Sequence, residues 1–284
     1  MENLTYQLID SGNGLKLERF GKYVIERPAS QAAWLPQKPL AQWKRAHARF
    51  TREENKKWAN IEALPDKWTI TVSDIVFQLS PTDFGHLGIF PEQKHFWRWA
   101  QDIIKHENSK RDQPIKILNL FAYSGGSTLA TARAGAQVVH LDASKGMVAW
   151  ARENAELNDL GEAPIRWITD DVNKFIKREL KRENRYDAII LDPPTFGRGS
   201  KGELFKIEEE IVPLLQTCRE LLTESPLFIM LSCHTPGYTP TVLHHLLEQT
   251  VQGLGGSTSK GEMFLEGEGF PLPSGAFARW YING

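Results

Sequence analysis

Two cysteines in 284 residues are too few for a disulfide framework and fit a reducing, cytoplasmic setting. No uncharged apolar run approaches the length of a membrane-spanning helix, so no membrane partner is expected. The opening MENLTYQLIDSGNG has no basic segment leading into an apolar stretch, so no export signal is expected either. The eight histidines lack ligand spacing, and His244 and His245 are adjacent rather than a turn apart, so no metal is expected. Net charge is only −1, which announces no polyanionic partner. What the chain does have is an ordinary globular balance, 41% hydrophobic and 24% charged, enough to bury a sizeable core.

The charge and the aromatics are unevenly spread. Residues 1–99 carry 14 Lys+Arg against 11 Asp+Glu and hold six of the nine tryptophans; the remainder is mildly acidic. Within this part, Trp43-Lys44-Arg45-Ala46-His47-Ala48-Arg49-Phe50-Thr51-Arg52 interleaves cations and aromatics. Such a stretch either contacts phosphates and stacks bases, or is an amphipathic helix whose aromatics face the core. Glu53 and Glu54 dilute its charge and favour the second reading, a helix near Ala41–Trp58. Around it, alternating segments predict strands at Tyr6–Asp10, Lys16–Phe20, Tyr23–Arg27, Trp68–Val72 and Ile75–Leu79, the last two joined by a Ser73-Asp74 turn. This predicts a small β-rich domain over 1–83, a candidate RNA or substrate contact. A helix running through Ile104 follows.

From Pro114 onward the rhythm changes. Apolar strands are predicted at Ile115–Phe121, Gln137–Leu141, Ile165–Thr169, Tyr186–Leu191 and Pro226–Ser232, with helices between them. The ends near Glu262–Leu265 and Ala276–Ile282 read as a closing hairpin. The pattern predicts an α/β fold, a doubly wound, mostly parallel seven-stranded sheet over 84–284. Such sheets bind ligands beyond the carboxyl ends of their strands, so the residues just after each strand are the ones to inspect.

The first of these ends reads Asn119-Leu120-Phe121-Ala122-Tyr123-Ser124-Gly125-Gly126. It is neither G-x-G-x-x-G nor a phosphate loop: large Phe121 and Tyr123 stand where a pyrophosphate would need bare backbone. That argues against a dinucleotide enzyme. The second strand ends at Asp142, placed to accept ribose hydroxyls. The third ends at Asp170-Asp171, placed to accept the adenine amine, and the fourth at Asp192-Pro193-Pro194-Thr195-Phe196. Two prolines after a buried strand forbid a helix and fix a rigid bend that aims Asp192 into the crevice. Any one acid could be a helix cap; the whole series fits a nucleoside pocket without phosphate.

This order of motifs resembles the class I S-adenosylmethionine-dependent methyltransferases, and within them the large-subunit ribosomal RNA methyltransferase family that includes a cytosine carbon-5 enzyme. That branch shows N-L-F-x-Y-x-G-G, an acid after the second strand, D-D-V and D-P-P-x-F. Here these are Asn119–Gly126, Asp142, Asp170-Asp171-Val172 and Asp192–Phe196. Gly88–Gln93 is similar to its G-x-F-L-D-Q segment, with Pro91-Glu92 in place of Leu-Asp. The family's RNA-binding PUA domain is not expected here, and Thr195 stands where the family often has Lys. The resemblance implies S-adenosylmethionine as cofactor, with RNA, ribosomal in the first place, as partner. It implies that Asn119, Phe121 and Gly125 cradle the methionine part, with Tyr123 and Gln93 also near the cofactor. Asp142 would hold the ribose and Asp171 the adenine amine.

Two chemistries stay open at the acceptor. The family's catalytic cysteine lies in an S-C-x segment, matched by Ser232-Cys233-His234. Addition of its thiolate to carbon-6 of a cytosine would activate carbon-5, with Asp192 stabilising the protonated base and His234 able to lower the thiol pKa. The alternative needs no thiol: Asp192 and the Pro193 carbonyl hold a base nitrogen and Phe196 stacks on it. Cys218 shares one helical face with Ile207, Ile211, Leu214, Leu215, Leu221 and Leu222 and reads as core. Gly197–Gly202 is basic and flexible, either closing over RNA phosphates or merely solvated. A non-catalytic RNA-binding protein on this frame is the remaining alternative.

Overall fold

The computed structural model describes residues 5–52, 57–199 and 202–282. The chain divides into two compact units, residues 1–94 with 264–274, and residues 95–263 with 275–284.

In the first unit, β1 (Tyr6–Gly12), β2 (Leu15–Phe20) and β3 (Tyr23–Pro28) form a meander. A single helical turn, α1 (Leu40–Trp43), follows, then β4 (Ala48–Thr51) and β5 (Lys57–Ala59) complete a five-stranded sheet in chain order. β6 (Trp68–Val72) and β7 (Ile75–Leu79) form a separate hairpin at the predicted boundaries. Its turn residues Ser73 and Asp74 have φ of 50° and 64°. Two successive left-handed residues give the turn type whose twist matches that of paired strands.

The helix expected at Ala41–Trp58 is corrected to one turn and two strands. Ala48 and Phe50 are buried while Thr51 is exposed. That period of two satisfies a strand lying parallel to β3 better than a helical face. Trp43 and Phe50 are both buried, and the Trp43 indole N–H donates to Asp10 Oδ2 at 3.0 Å. These two aromatics serve the core, which removes base stacking from their roles. Glu53 and Glu54 lie outside the described residues.

The second unit opens with the helix α2 (Lys94–Asn108), whose first residue still belongs to the first unit. Then β8 (Lys116–Leu120), α3 (Gly126–Arg133), β9 (Gln137–Asp142), α4 (Lys145–Glu156), β10 (Ile165–Thr169) and α5 (Val172–Lys181) alternate. Next come β11 (Ala188–Leu191), the short β12 (Phe196–Arg198) and β13 (Leu204–Lys206), and α6 (Ile207–Glu220). β14 (Phe228–Cys233), α7 (Pro240–Thr250), β15 (Ser257–Leu265) and β16 (Leu272–Tyr281) end the chain. The sheet order is β10-β9-β8-β11-β14-β16-β15. β10, β9, β8, β11 and β14 are parallel, and β16 is antiparallel to β14.

Both faces of this sheet are covered, which is why its strands read as continuous apolar runs. On one face Ile117, Val138, Ile190 and Met230 pack with Phe96, Ala100 and Ile104 of α2. On the other, Leu118, Leu141, Leu191 and Leu231 pack with Phe175 of α5, Leu214 and Cys218 of α6, and Leu247 of α7. Cys218 is a core side chain, as its helical spacing implies. The chain runs outward from β8 to β10 and then returns to β11 beside β8. The crevice between the tips of those two strands is the switch point where open sheets bind ligands.

Candidate active site at the strand tips

The loop after β8 is bent by three left-handed residues, Phe121 (φ 57°), Tyr123 (φ 50°) and Gly125 (φ 96°). Phe121 and Tyr123 are bulky residues in a sparsely populated region, the kind of strain that persists where the surroundings over-determine it. The surroundings do so by holding the loop's own backbone. The Ala122 N–H donates to Leu141 O at 3.0 Å, and the Asn154 amide to Ser124 O at 2.9 Å. At Gly126 an added Cβ would lie 2.6 Å from the Trp97 ring, so only glycine fits the start of α3.

Asp142, ending β9, receives the Tyr123 N–H on Oδ2 at 2.9 Å and the Ser144 N–H on Oδ1 at 2.8 Å. Each oxygen therefore holds one backbone donor and keeps capacity for another. Burial pushes the Asp142 carboxyl above its ordinary value, and the Ser144 and Tyr123 N–H groups pull it part of the way back. A half-buried carboxylate with two accepting positions left is suited to a vicinal diol.

Beneath the loop lies a chain of buried polar groups. Asn119 donates to Thr128 Oγ1 at 2.8 Å, and Thr128 Oγ1 lies 2.9 Å from His140 Nδ1. Asn119 is only 3% exposed, and its amide braces the loop from below. His140 is held neutral: burial, with the nearby Arg152 charge, lowers its pKa to about 3.

Asp171 caps α5, its Oδ1 accepting the Lys174 N–H at 2.9 Å. Asp170 accepts the Asp171 N–H and pairs with Arg178. Phe121 packs edge-on against Phe205 of β13, ring centres 5.0 Å apart. Gln93 belongs to the first unit, in the short 3-10 turn Pro91–Gln93, and is buried there.

At the tips of β11 and β14 the groups hold one another. The Ser232 hydroxyl donates to Asp192 Oδ1 at 2.8 Å, and His234 Nδ1 lies 3.5 Å from the same oxygen. Thr195 and Thr235 hydroxyls meet at 2.8 Å. Pro193 is buried and Pro194 exposed. Strand alternation separates Cys233 from its neighbours: it packs with Leu243 and Leu247 of α7 and is 1% exposed. Burial pushes the Cys233 thiol up, and the Asp192 charge adds to this; hydrogen bonds from Thr235, whose N–H lies 3.4 Å from the sulfur, and the His234 charge oppose it. Phe196 sits on β12 with 49% of its surface exposed.

A family model for S-adenosylmethionine-dependent methyltransferases matches residues 22–254. The chain belongs to that family. Among solved structures, this methyltransferase is 40% identical to an S-adenosylmethionine-dependent methyltransferase from Agrobacterium tumefaciens. The two agree with a TM-score of 0.91, over 98% of this chain and 90% of that one. Among curated proteins it is 32% identical over 160 residues to ribosomal RNA large subunit methyltransferase K/L of Hahella chejuensis, covering 56% of this chain and 20% of that one. It is 31% identical over 134 residues to ribosomal RNA large subunit methyltransferase I of Aeromonas salmonicida, covering 47% of this chain and 32% of that one. The chain spans about a fifth of the length of the K/L relative and a third of the other.

The donor set at the tips of β8 and β9 fits the family's cofactor, an uncharged nucleoside joined to an amino acid. Asp142 offers acceptors for hydroxyls, and no lysine-bearing phosphate loop intrudes. Several working residues escaped sequence reasoning. Ser232 is read only as a strand end and as the first residue of the Ser232-Cys233-His234 segment, with no role of its own, and Thr128 and His140 carry no motif. The only signal for them is a polar residue within an otherwise apolar run, at His140 in Val138–Leu141 and at Ser232 in Phe228–Cys233. Among the described residues, no helix is long and apolar enough to cross a membrane.

Proposed function

We propose that this methyltransferase modifies a base of RNA, ribosomal RNA in the first place, at the crevice formed by the tips of β8 and β11. Work on that partner would fall in the cytoplasm. The observation that carries the reading is Asp192, fixed by Ser232 at 2.8 Å and followed by the buried Pro193. A carboxylate and a proline carbonyl at a rigid bend form an acceptor pair suited to the edge of a nucleobase. The names of the relatives, both ribosomal RNA methyltransferases, support the same substrate class.

In this reading S-adenosylmethionine, when bound, supplies a methyl group on a sulfonium leaving group. Asp142 accepts the ribose hydroxyls. Phe121, Tyr123 and Gly125 shape the seat for the methionine part, and Asn119 stiffens it from below. Asp171 offers its second carboxylate oxygen to the adenine amine, its first being committed to the α5 cap. Asp192 and Pro193 orient the acceptor base, and catalysis is mainly positioning.

The buried Cys233 thiol, shifted up in pKa and packed on α7, favours methylation at a base nitrogen, which needs no thiolate. The carbon-5 route through Cys233 draws on the Ser232-Cys233-His234 segment and on the Thr235 N–H facing the sulfur. The test is Cys233→Ala with methyl transfer to RNA as readout and nucleoside mass spectrometry to identify the product. On the nitrogen reading kcat falls by less than about fivefold, the effect of a small packing loss. Abolished transfer in a protein that still binds cofactor would establish the thiol route instead.

A further inference from the structure

The two short strands that follow the Asp192 bend form a ribbon with two unlike faces. β12 and β13 pair antiparallel, with Phe196 opposite Lys206, Gly197 opposite Phe205, and Arg198 opposite Leu204. Side chains alternate along each strand, so Gly197 and Phe205 share one face and Phe196, Arg198, Leu204 and Lys206 share the other. The first face is inward: Phe205 is buried against Phe121 of the β8 loop. The second is open, with Phe196 49% and Leu204 51% exposed. Exposing two large apolar side chains on so short a ribbon calls for a reason.

The cations on this face supply one. The Arg198 guanidinium lies over the Phe196 ring, 5.9 Å from its centre. Among the described residues Arg198 pairs with no carboxylate. Among the described residues Lys206 is bridged only to Glu209, at 2.7 Å and with both side chains well exposed, a pair worth little in water. Glu203, the acid nearest in sequence to this face, is engaged by Lys174. A flat ring, an aliphatic side chain and two available cations on one surface match a base and its phosphates. An acidic peptide would use the cations but leave the ring idle.

We propose that the outer face of the β12–β13 ribbon holds the nucleotide next to the target in a single-stranded segment of RNA. Its base stacks on Phe196 against Leu204, and its phosphates lie on Arg198 and Lys206. This rests on the RNA reading above and extends it from the target base to its neighbour. It also assigns Phe196 to the flanking base, since its ring lies on the face opposite Phe205.

The test uses the full chain and two short fluorescein-labelled probes of equal length, a mixed-sequence single-stranded oligoribonucleotide and its abasic sugar–phosphate counterpart. Binding is followed by anisotropy across a salt series, with cofactor affinity as the check that each variant is folded. Phe196→Ala is expected to lower affinity for the base-bearing probe about 5- to 150-fold, the range for one lost stack, and to leave the abasic probe unaffected. Arg198→Ala is expected to weaken both probes and to make the slope of log K against log salt shallower by about 0.7. Wild-type RNA binding that neither variant disturbs would overturn the ribbon proposal and leave the RNA reading standing. A wild-type chain that binds cofactor but neither probe would overturn both. An equal loss on the two probes for Phe196→Ala would overturn the stacking assignment.

Discussion

At the tips of β8 and β9 the functional groups are gripped by backbone, whereas at the tips of β11 and β14 they are gripped by each other's side chains. Asp142 is aimed by two main-chain N–H groups, and the loop it steadies is tied by the Ala122 N–H to Leu141 O, with one side-chain bond from the Asn154 amide added at Ser124 O. Asp192 is aimed by the hydroxyl of Ser232 and flanked by His234, with Thr195 and Thr235 bonded beside them. A grip made by main chain survives most substitutions, because every residue carries the same N–H and C=O. A side-chain grip is rewritten by single changes. The first half therefore suits a ligand that never varies, and the second a ligand that differs from one relative to the next.

The contrast is broken most sharply at Asp192. Asp192→Ala should lower kcat for RNA methylation by about 100-fold or more, the usual penalty when a reacting group is misplaced by an ångström. Cofactor affinity, set at the other half, should stay at the wild-type value in isothermal titration. If cofactor affinity fell in step with kcat, the two halves would not be separable.

The reciprocal change comes next in size. Asp142→Ala should weaken cofactor binding by about 1.5–3 kcal/mol, the cost of losing hydrogen bonds to a charged acceptor. RNA affinity measured without cofactor should not move. An unchanged cofactor Kd would remove the ribose role from Asp142.

The same contrast explains what the sequence made legible. Strands buried on both faces announce themselves as apolar runs, and a loop that must hold a fixed ligand keeps a fixed set of residues. So Asn119–Gly126, Asp142 and the Asp-Pro-Pro bend could be read in order, and the strands predicted between Tyr6 and Ser232 lie within two residues of observed ones, while the two strands of the closing hairpin begin five and four residues earlier than predicted. Side-chain partnerships across distant strands leave no such trace. Nothing in the local sequence pairs Ser232 with Asp192, 40 residues away, or Phe121 with Phe205. The ribbon after the bend was hidden by its glycines, which read as a flexible basic loop; Ser200 and Lys201 of that stretch lie outside the described residues. At Trp43–Arg52 the charges obscured a strand, because Arg49, held by Glu26 at 3.2 Å, spends its charge on a neighbouring strand rather than on a partner.

The smallest expected effect sharpens the backbone-gripped half. His140 is buried beneath the β8 loop, 2.9 Å from Thr128 and 4.8 Å between ring centres from Trp167. Its pKa is about 3 in the folded chain against an ordinary value of 6.5. Between those values the unfolded chain binds a proton that the folded chain refuses, so stability falls as the pH drops through this window and is intact above it. From pH 7 to pH 5.5 this single group should remove roughly 1.3 kcal/mol, measured as the change in urea unfolding free energy. His140→Gln keeps a partner for Thr128 but cannot take up a proton in this range. Its stability should fall less than wild type over the same interval, by that difference. Cofactor affinity of the folded wild type should hold over the same interval, because the ring beneath the loop that carries Tyr123 stays neutral there. Identical acid slopes for wild type and variant would mean that His140 is protonated in place.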